Sequence, residues 1–341
     1  MLTPSATVTL GNLRYDSHMS DVVARLALLP GVNSLNAVLP ADVEVSAAAG
    51  DAGSLEMDGG EGAQTVLTGK ICSLRRNLLA TNVAVTDGGA DLAGLRPCAT
   101  YEKQNGKDVI RALAGESGID VGTLDLDLPL AAYVAHQKRT AAEHIAYLAD
   151  LAGSTARVDG GGSLQVNPWP EGQPEAALLY GREVIDYEVR DRPGPQVRRV
   201  TVGNGPAGST DAPDALRHTS SILPGDAPAP GADAVWKTAP VLRTPATAQA
   251  ASQAEEQRAA AAGSRVRARC FLLPSLRPGT VVQVQELPDG VSGGPWMLTQ
   301  VTHRLRPGLG GTTIFEGVAA GAGSGMGSLL DMAISAIGGL F

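Results

Sequence analysis

Apolar and polar residues alternate with period two through both ends of the chain and shift to helical spacing in its middle. Residues 5–11 and 13–15 read as strand, turn, strand, and short strand-like runs follow at 34–39, 42–47, 65–74 and 78–86. Gly-rich breaks at 50–53, 59–60 and 88–89 separate them. Several short strands at this spacing predict a barrel or a sandwich. Residues 20–29 read differently. Ser20 can cap, and Val22, Val23, Leu26 and Leu29 lie on one side, so a short amphipathic helix is expected there.

Residues 101–169 repeat one small unit twice: an aromatic strand start, a short helix closed by glycine, and a returning strand. The first helix is expected over 106–117, with Asn105 as cap, Gly118 as left-handed stop, and Val109, Ile110 and Leu113 on one side. The strand returns at 119–121. In the second copy Thr140-Ala-Ala-Glu143 is a capping box, Ile145, Leu148, Ala149 and Ala152 form the apolar face, and Gly153 ends the helix. Strands at 154–158 and 163–166 flank Asp159-Gly-Gly-Gly162.

Strand-like runs resume at 177–180, 184–190 and 196–202. Residues 203–235 are rich in Gly, Pro, Ala, Asp and Ser and read as a long loop. An alanine-rich helix is expected over 246–262, opened by Thr244-Pro245 and ended by Gly263. Strands at 265–273, 280–285, 296–305 and 311–319 follow, with turns at Arg277-Pro-Gly279 and Pro288-Asp-Gly290. A small-residue linker over 321–327 leads to a short apolar helix over 328–340. It carries Leu329, Leu330, Met332, Ala333, Ile334 and Ile337, with Asp331 its only charge.

Composition narrows the function. With 341 residues, 43% hydrophobic and 18% charged, the chain can build two or three cored domains. Its net charge of −8 argues against a phosphate backbone as the main ligand. Arg265-Val-Arg-Ala-Arg269 reads as one face of a strand. Cys72, Cys98 and Cys270 are odd in number and far apart, so free thiols in a reducing compartment are expected. The first residues lack signal-peptide features, and no apolar run is long enough to span a membrane.

No motif for chemistry survives its structural alternative. Gly203-Asn-Gly-Pro-Ala-Gly208 fits GxGxxG, but Pro206 and the following residues break the helix that a dinucleotide site needs. His136 and His144 are not at zinc-helix spacing, His18 and His218 stand alone, and His303 lies in an alternating strand. Asp125 and Asp127 alternate with Leu124, Leu126 and Leu128, the pattern of one solvated strand face. GxSxG is absent, and no catalytic residue, cofactor or metal is expected. The apolar C-terminal helix is too short to span and lacks a basic face, so it reads as a helix that docks on a partner. Leu329, Leu330, Met332, Ile334 and Ile337 are its candidate contacts.

In this order the residues resemble the phage late control gene D family, the baseplate hub of contractile tails, related to the hub part of type VI secretion spike proteins. Two stretches carry the resemblance. One is the repeated unit, GKDVIRALAGESGIDV and YVAHQKRTAAEHIAYLADLAGSTARVDGGGSLQV. The other is AAAAGSRVRARCFLLPSLRPGTVVQV followed by GPWMLTQVTHRLRPGLGGTTIFEGV. The implied fold is mainly β with an α+β insert: two tandem tube-type β-barrels, the insert, and an apolar C-terminal helix. The first barrel would take residues 1–100 and part of 178–240, the insert 101–177, the second barrel 178–320, and the linker and tail 321–341. The resemblance implies a non-enzymatic homotrimer with pseudo-six-fold symmetry in the virion baseplate, assembled in the bacterial cytoplasm. It would join a hexameric tail tube protein to a separate trimeric spike protein, with the tape-measure and baseplate wedge proteins as further neighbours. A tail-associated peptidoglycan hydrolase needs an acid pair, a Cys/His pair or a zinc set, and none has convincing spacing. A host-binding adhesin predicts surface aromatics, yet the chain has three Trp, six Tyr and three Phe.

Overall fold

The computed structural model describes residues 4–191, 198–203, 219–220 and 234–321. The N-terminal half supplies β1 (Ser5–Leu10), β2 (Leu13–Tyr15), β3 (Asp21–Ala27), β4 (Ser34–Pro40), β5 (Ala52–Asp58), β6 (Gln64–Arg76) and β7 (Ala80–Thr86). Helix α1 (Gly89–Gly94) leads into the insert. The insert holds β8 (Ala99–Asn105), α2 (Gly106–Glu116), β9 (Val121–Leu124), β10 (Pro129–Ala135), α3 (Ala141–Leu151), β11 (Ser154–Val158) and β12 (Leu164–Pro168). The C-terminal half begins with β13 (Ala176–Leu179), β14 (Val184–Asp191), β15 (Arg198–Gly203), β16 (Thr219–Ser220) and β17 (Ala234–Thr238). It continues with α4 (Pro245–Ala261), β18 (Ser264–Phe271), β19 (Val281–Gln285), β20 (Trp296–Arg306) and β21 (Gly310–Ala319).

Strands from both halves form one 13-stranded sheet, in the order β14-β18-β21-β20-β3-β4-β7-β6-β5-β1-β2, with β19 and β13 branching from β20. The halves meet where β3 pairs antiparallel with β20, from Val22↔Leu305 to Ala27↔Gln300. The chain is mainly β, as the alternation predicts. Among the described residues the pairings do not return to close a barrel, and one hydrophobic core, from Val8 and Leu35 to Trp296 and Phe315, serves both halves.

The insert has its own core. β8 pairs with β10, β12 pairs with β11 and, in parallel, with β9. Its helices start as their sequence directs. The Asn105 side chain accepts from Lys107 N–H, and Thr140 and Glu143 close the capping box. Gly118 and Gly153 sit at φ +73° and +68°, the left-handed stops that a Cβ disfavours. Helix α4 belongs spatially to this unit: Ala248 and Ala251 are buried in the insert's core. A Cβ on Gly153 would come 3.2 Å from the Ala254 Cβ, so small residues set the α3–α4 spacing.

Several expectations change. Strand β3 (Asp21–Ala27) takes the place of the helix expected over 20–29. Val22, Ala24 and Leu26 are buried while Arg25 faces solvent, and two neighbouring strands satisfy the backbone. The same apolar residues fit a helical stripe, and pairing decides between the two. Residues 42–47 are a loop whose Val45 and Ala47 reach the core. Helix α1 begins at the 88–89 glycine break. The returning strand expected at 119–121 runs over β9 instead, and Leu126 and Leu128 keep the alternation beyond its end. Within 203–235, Thr219–Ser220 is a short strand beside β15. Gly203 ends β15 and Ala234–Val235 open β17, while residues 204–218, 221–233 and the whole apolar tail lie outside the described residues.

Candidate partner interface

Alternation along β18 separates a core face from a charged one. Val266, Ala268 and Cys270 are buried, while Arg265, Arg267 and Arg269 are exposed. The register sets Arg190, Glu188 and Asp186 of β14 beside Arg265, Arg267 and Arg269, and Glu316 of β21 beside Arg267. Arg190 Nε lies 2.7 Å from Glu188 Oε1, and Arg267 Nε lies 3.8 Å from Glu316 Oε1. The open groove of 390 Å³ on this face is lined by both signs of charge. Solvent screens such exposed pairs, so they add little to stability. The basic run is therefore the middle row of a solvated ion-pair face between β14 and β21, its arginines on one side of the strand as the spacing predicts.

The seam between the halves carries a stronger pair. Arg304 Nε and Nη2 reach the two Asp21 oxygens at 3.0 and 2.6 Å, and Arg306 Nε stands 3.6 Å away. The Arg304 guanidinium holds the Asp21 carboxyl below the ordinary carboxylate range.

The insert is tied to the sheet by buried polar groups. Asn33 Nδ2 donates to Asp87 Oδ2 at 2.7 Å and to Val158 O at 3.1 Å, and its Oδ1 accepts from Ala27 N–H. Asp87 Oδ1 accepts from Gly89 N–H at 2.9 Å. Burial pushes the Asp87 carboxyl up to about 6. Nearby, Arg157 donates to Pro278 O, and Arg277 Nη2 to Thr65 O at 2.6 Å.

Asp127, His144 and His303 have structural partners. Asp127 Oδ1 accepts from Asn105 Nδ2 at 2.7 Å, steadying the α2 cap. His144 is buried, with Nδ1 2.6 Å from Tyr133 Oη and its other nitrogen near His136 O. His303 is enclosed by Thr313 and Leu276. Among the described residues, no group of three or more His, Cys, Asp or Glu side chains is gathered for a metal ion. No helix among them is long and apolar enough to cross a membrane. Leu329, Leu330, Met332, Ile334 and Ile337 lie outside the described residues, so the structure does not place them.

Other exposed apolar side chains went unread in the sequence. Leu78 and Leu79 form the tip of the β6–β7 hairpin, and Leu309 forms the tip of β20–β21. The run Arg75-Arg-Asn-Leu-Leu79 breaks the alternation of its strands, which is the signal that marks it.

No family model and no curated protein matches the sequence. Solved structures do match across nearly the whole chain. A 43 kDa prophage tail protein from Shewanella oneidensis is 14% identical with a TM-score of 0.65, covering 94% of this chain and 98% of that one. A tail protein from Neisseria meningitidis is 14% identical with a TM-score of 0.69, over 94% and 98%. The E. coli c3393 protein, a type VI secretion component with structural similarity to bacteriophage tail proteins, is 10% identical with a TM-score of 0.62, over 92% and 76%. These neighbours are of the kinds that the baseplate-hub resemblance implies, and the chain has the fold of phage tail proteins.

Proposed function

We propose that this protein is a structural hub in the baseplate of a phage tail or a phage-like injection particle. It acts as a homotrimer whose two β halves per chain give pseudo-six-fold symmetry, joining a hexameric tube to a separate trimeric spike. One observation carries this reading. Two β halves share a single sheet and core through the β3–β20 pair, and each presents its own strand ends. A chain with two such halves can offer six similar contacts from three copies. The match to phage tail proteins over 94% of the chain supports it. The apolar segment carrying Leu329, Leu330, Met332, Ile334 and Ile337 is assigned to contacts with the spike, the tube or the tape-measure protein.

Light scattering of the purified chain, alone and with the tube protein of its particle, tests the hub. A mass near three chains of 34.8 kDa, alone or on the tube, is the expected result. A stable monomer or dimer that ignores the tube would overturn it.

A further inference from the structure

The four most exposed large apolar side chains among the described residues are Leu78 (96%), Leu79 (84%), Leu309 (82%) and Phe271 (58%). Strand register puts Leu78, Leu79 and Leu309 at one end of the sheet, while Phe271 lies beside the Gly59–Gln64 turn at the other end of β6. Leu78 and Leu79 join Arg76 and Ala80, and Ala80 pairs with Pro40 at the end of β4. Leu309 joins β20 to β21 beside the Leu305↔Val22 pair at the start of β3. Four interstrand steps separate the two turns, about 20 Å along the sheet.

The opposite strand ends are covered. Leu29 N–H donates to Ala156 O at 2.8 Å and Asn33 Nδ2 to Val158 O, so the insert seals that end of β3 and β4. The leucine rim is the open end. Its longest tip is also held in shape. Asn77 Oδ1 accepts from Leu79 N–H at 2.8 Å and Ala80 N–H at 2.9 Å, Ala41 N–H donates to Leu79 O, and Arg76 Nη2 donates to Val45 O at 2.7 Å. A turn fixed before contact loses little conformational freedom on binding.

We infer that this rim is the end-on docking surface for the tail tube, a protein ring offering apolar sockets edged by carboxylates. The inference rests on the hub reading above and names the strands that meet the tube. Exposed Arg75 and Arg76 flank the leucine pair, with Asp42 and Glu44 exposed in the neighbouring loop. A mixed pattern of this kind suits a protein surface of matching charge and is repelled in part by an anionic bilayer.

The test titrates the full chain with its particle's tube protein. The Leu78→Ser/Leu79→Ser double variant and Leu309→Ser should each weaken binding at least tenfold. Val134→Ser, an exposed apolar change on the insert, should not, and all variants should melt like the parent. Equal binding by the parent and the rim variants would overturn the rim and leave the hub standing. A parent that ignores the tube protein would overturn both. Sedimentation with phosphatidylcholine–phosphatidylglycerol vesicles, lost in the rim variants, would reassign the rim to lipid. Concentration-dependent stacking of the chain on itself, lost in the same variants, would reassign it to a second copy.

Discussion

Across the β20–β21 pair, the Thr313 hydroxyl lies 2.9 Å from His303 Nδ1 while accepting a hydrogen bond from Leu273 N–H, also at 2.9 Å. His303 Nε2 sits 3.1 Å from Leu276 O. A carbonyl only accepts, so Nε2 carries the proton and Nδ1 accepts the Thr313 hydroxyl. This relay fixes the turn that contains Arg277 and Pro278, the two residues that bind Thr65 O and Arg157. His303→Phe removes the ring nitrogens and strands two buried partners. We expect a loss of about 2–4 kcal/mol, read from urea unfolding. A loss below about 0.5 kcal/mol would remove the relay from the fold's support.

Two buried groups give stability opposite responses to pH. Burial holds the His303 imidazole down to about 4, against 6.5 ordinarily. Its unfolded form takes up a proton that the folded form refuses, so its contribution is whole above 6.5 and is lost as pH falls toward 4. Asp87 is raised to about 6 from 3.8. Folded Asp87 keeps a proton that the unfolded chain releases, so its contribution is whole below 3.8 and is lost as pH rises through 6. Between about 4 and 6 the two slopes oppose. Asp87→Asn should leave a profile that rises more steeply with pH over this window than the parent's, and His303→Phe one that falls. Urea midpoints measured every half unit of pH distinguish them, and an Asp87→Asn profile parallel to the parent's would exclude Asp87 as the source.

The Asp21–Arg304 pair spans the seam between the halves, yet its side chains are 25% and 41% exposed. Solvent screening keeps such a pair near about 0.5–1 kcal/mol. A double-mutant cycle with Asp21→Ala and Arg304→Ala should return a coupling of that size, shrinking in 1 M salt. The β3–β20 ladder and the shared core should hold the seam together in both single variants. Separation of the halves into independent unfolding transitions would show that the ion pair carries the seam instead.

Gly69 lies where β6 leaves β5 for β7, one residue before the Lys70↔Thr86 pair. A Cβ there would stand 2.0 Å from Thr86 O, a backbone atom that cannot swing away. Gly69→Ala should cost about 1–3 kcal/mol by forcing the strands apart. Gly115→Ala, whose Cβ meets nothing within 4 Å in helix α2, should be neutral or stabilising. Thermal unfolding of the two variants side by side checks the contrast.

Removing residues 325–341 should leave the melting of the remaining chain unchanged while weakening assembly with the spike, tube or tape-measure protein. Size-exclusion chromatography of the truncated chain with each partner measures this. Assembly indistinguishable from the full chain would assign those apolar residues no role in docking.

Much of the local structure was legible in the chain alone. The caps at Asn105, Thr140 and Thr244, the glycine stops at Gly118 and Gly153, and the alternation of Arg265, Arg267 and Arg269 each depend on neighbours a few residues away. Turn chemistry and side-chain period are local properties, so they can be read without the fold. Residues 20–29 were misread because Val22, Val23, Leu26 and Leu29 satisfy a helical stripe as well as a strand's alternation. Only β4 on one side and β20, nearly three hundred positions away, on the other settle it as a strand. The same holds for α4, whose alanines face the insert, and for the rim that collects Leu78, Leu79 and Leu309. The chain alone carried its turns, its helix caps and stops and most of its strands. The tertiary structure alone decided which strands became neighbours and which apolar turns were left in water, because pairing across long loops is set by the burial and backbone hydrogen bonding of the whole sheet.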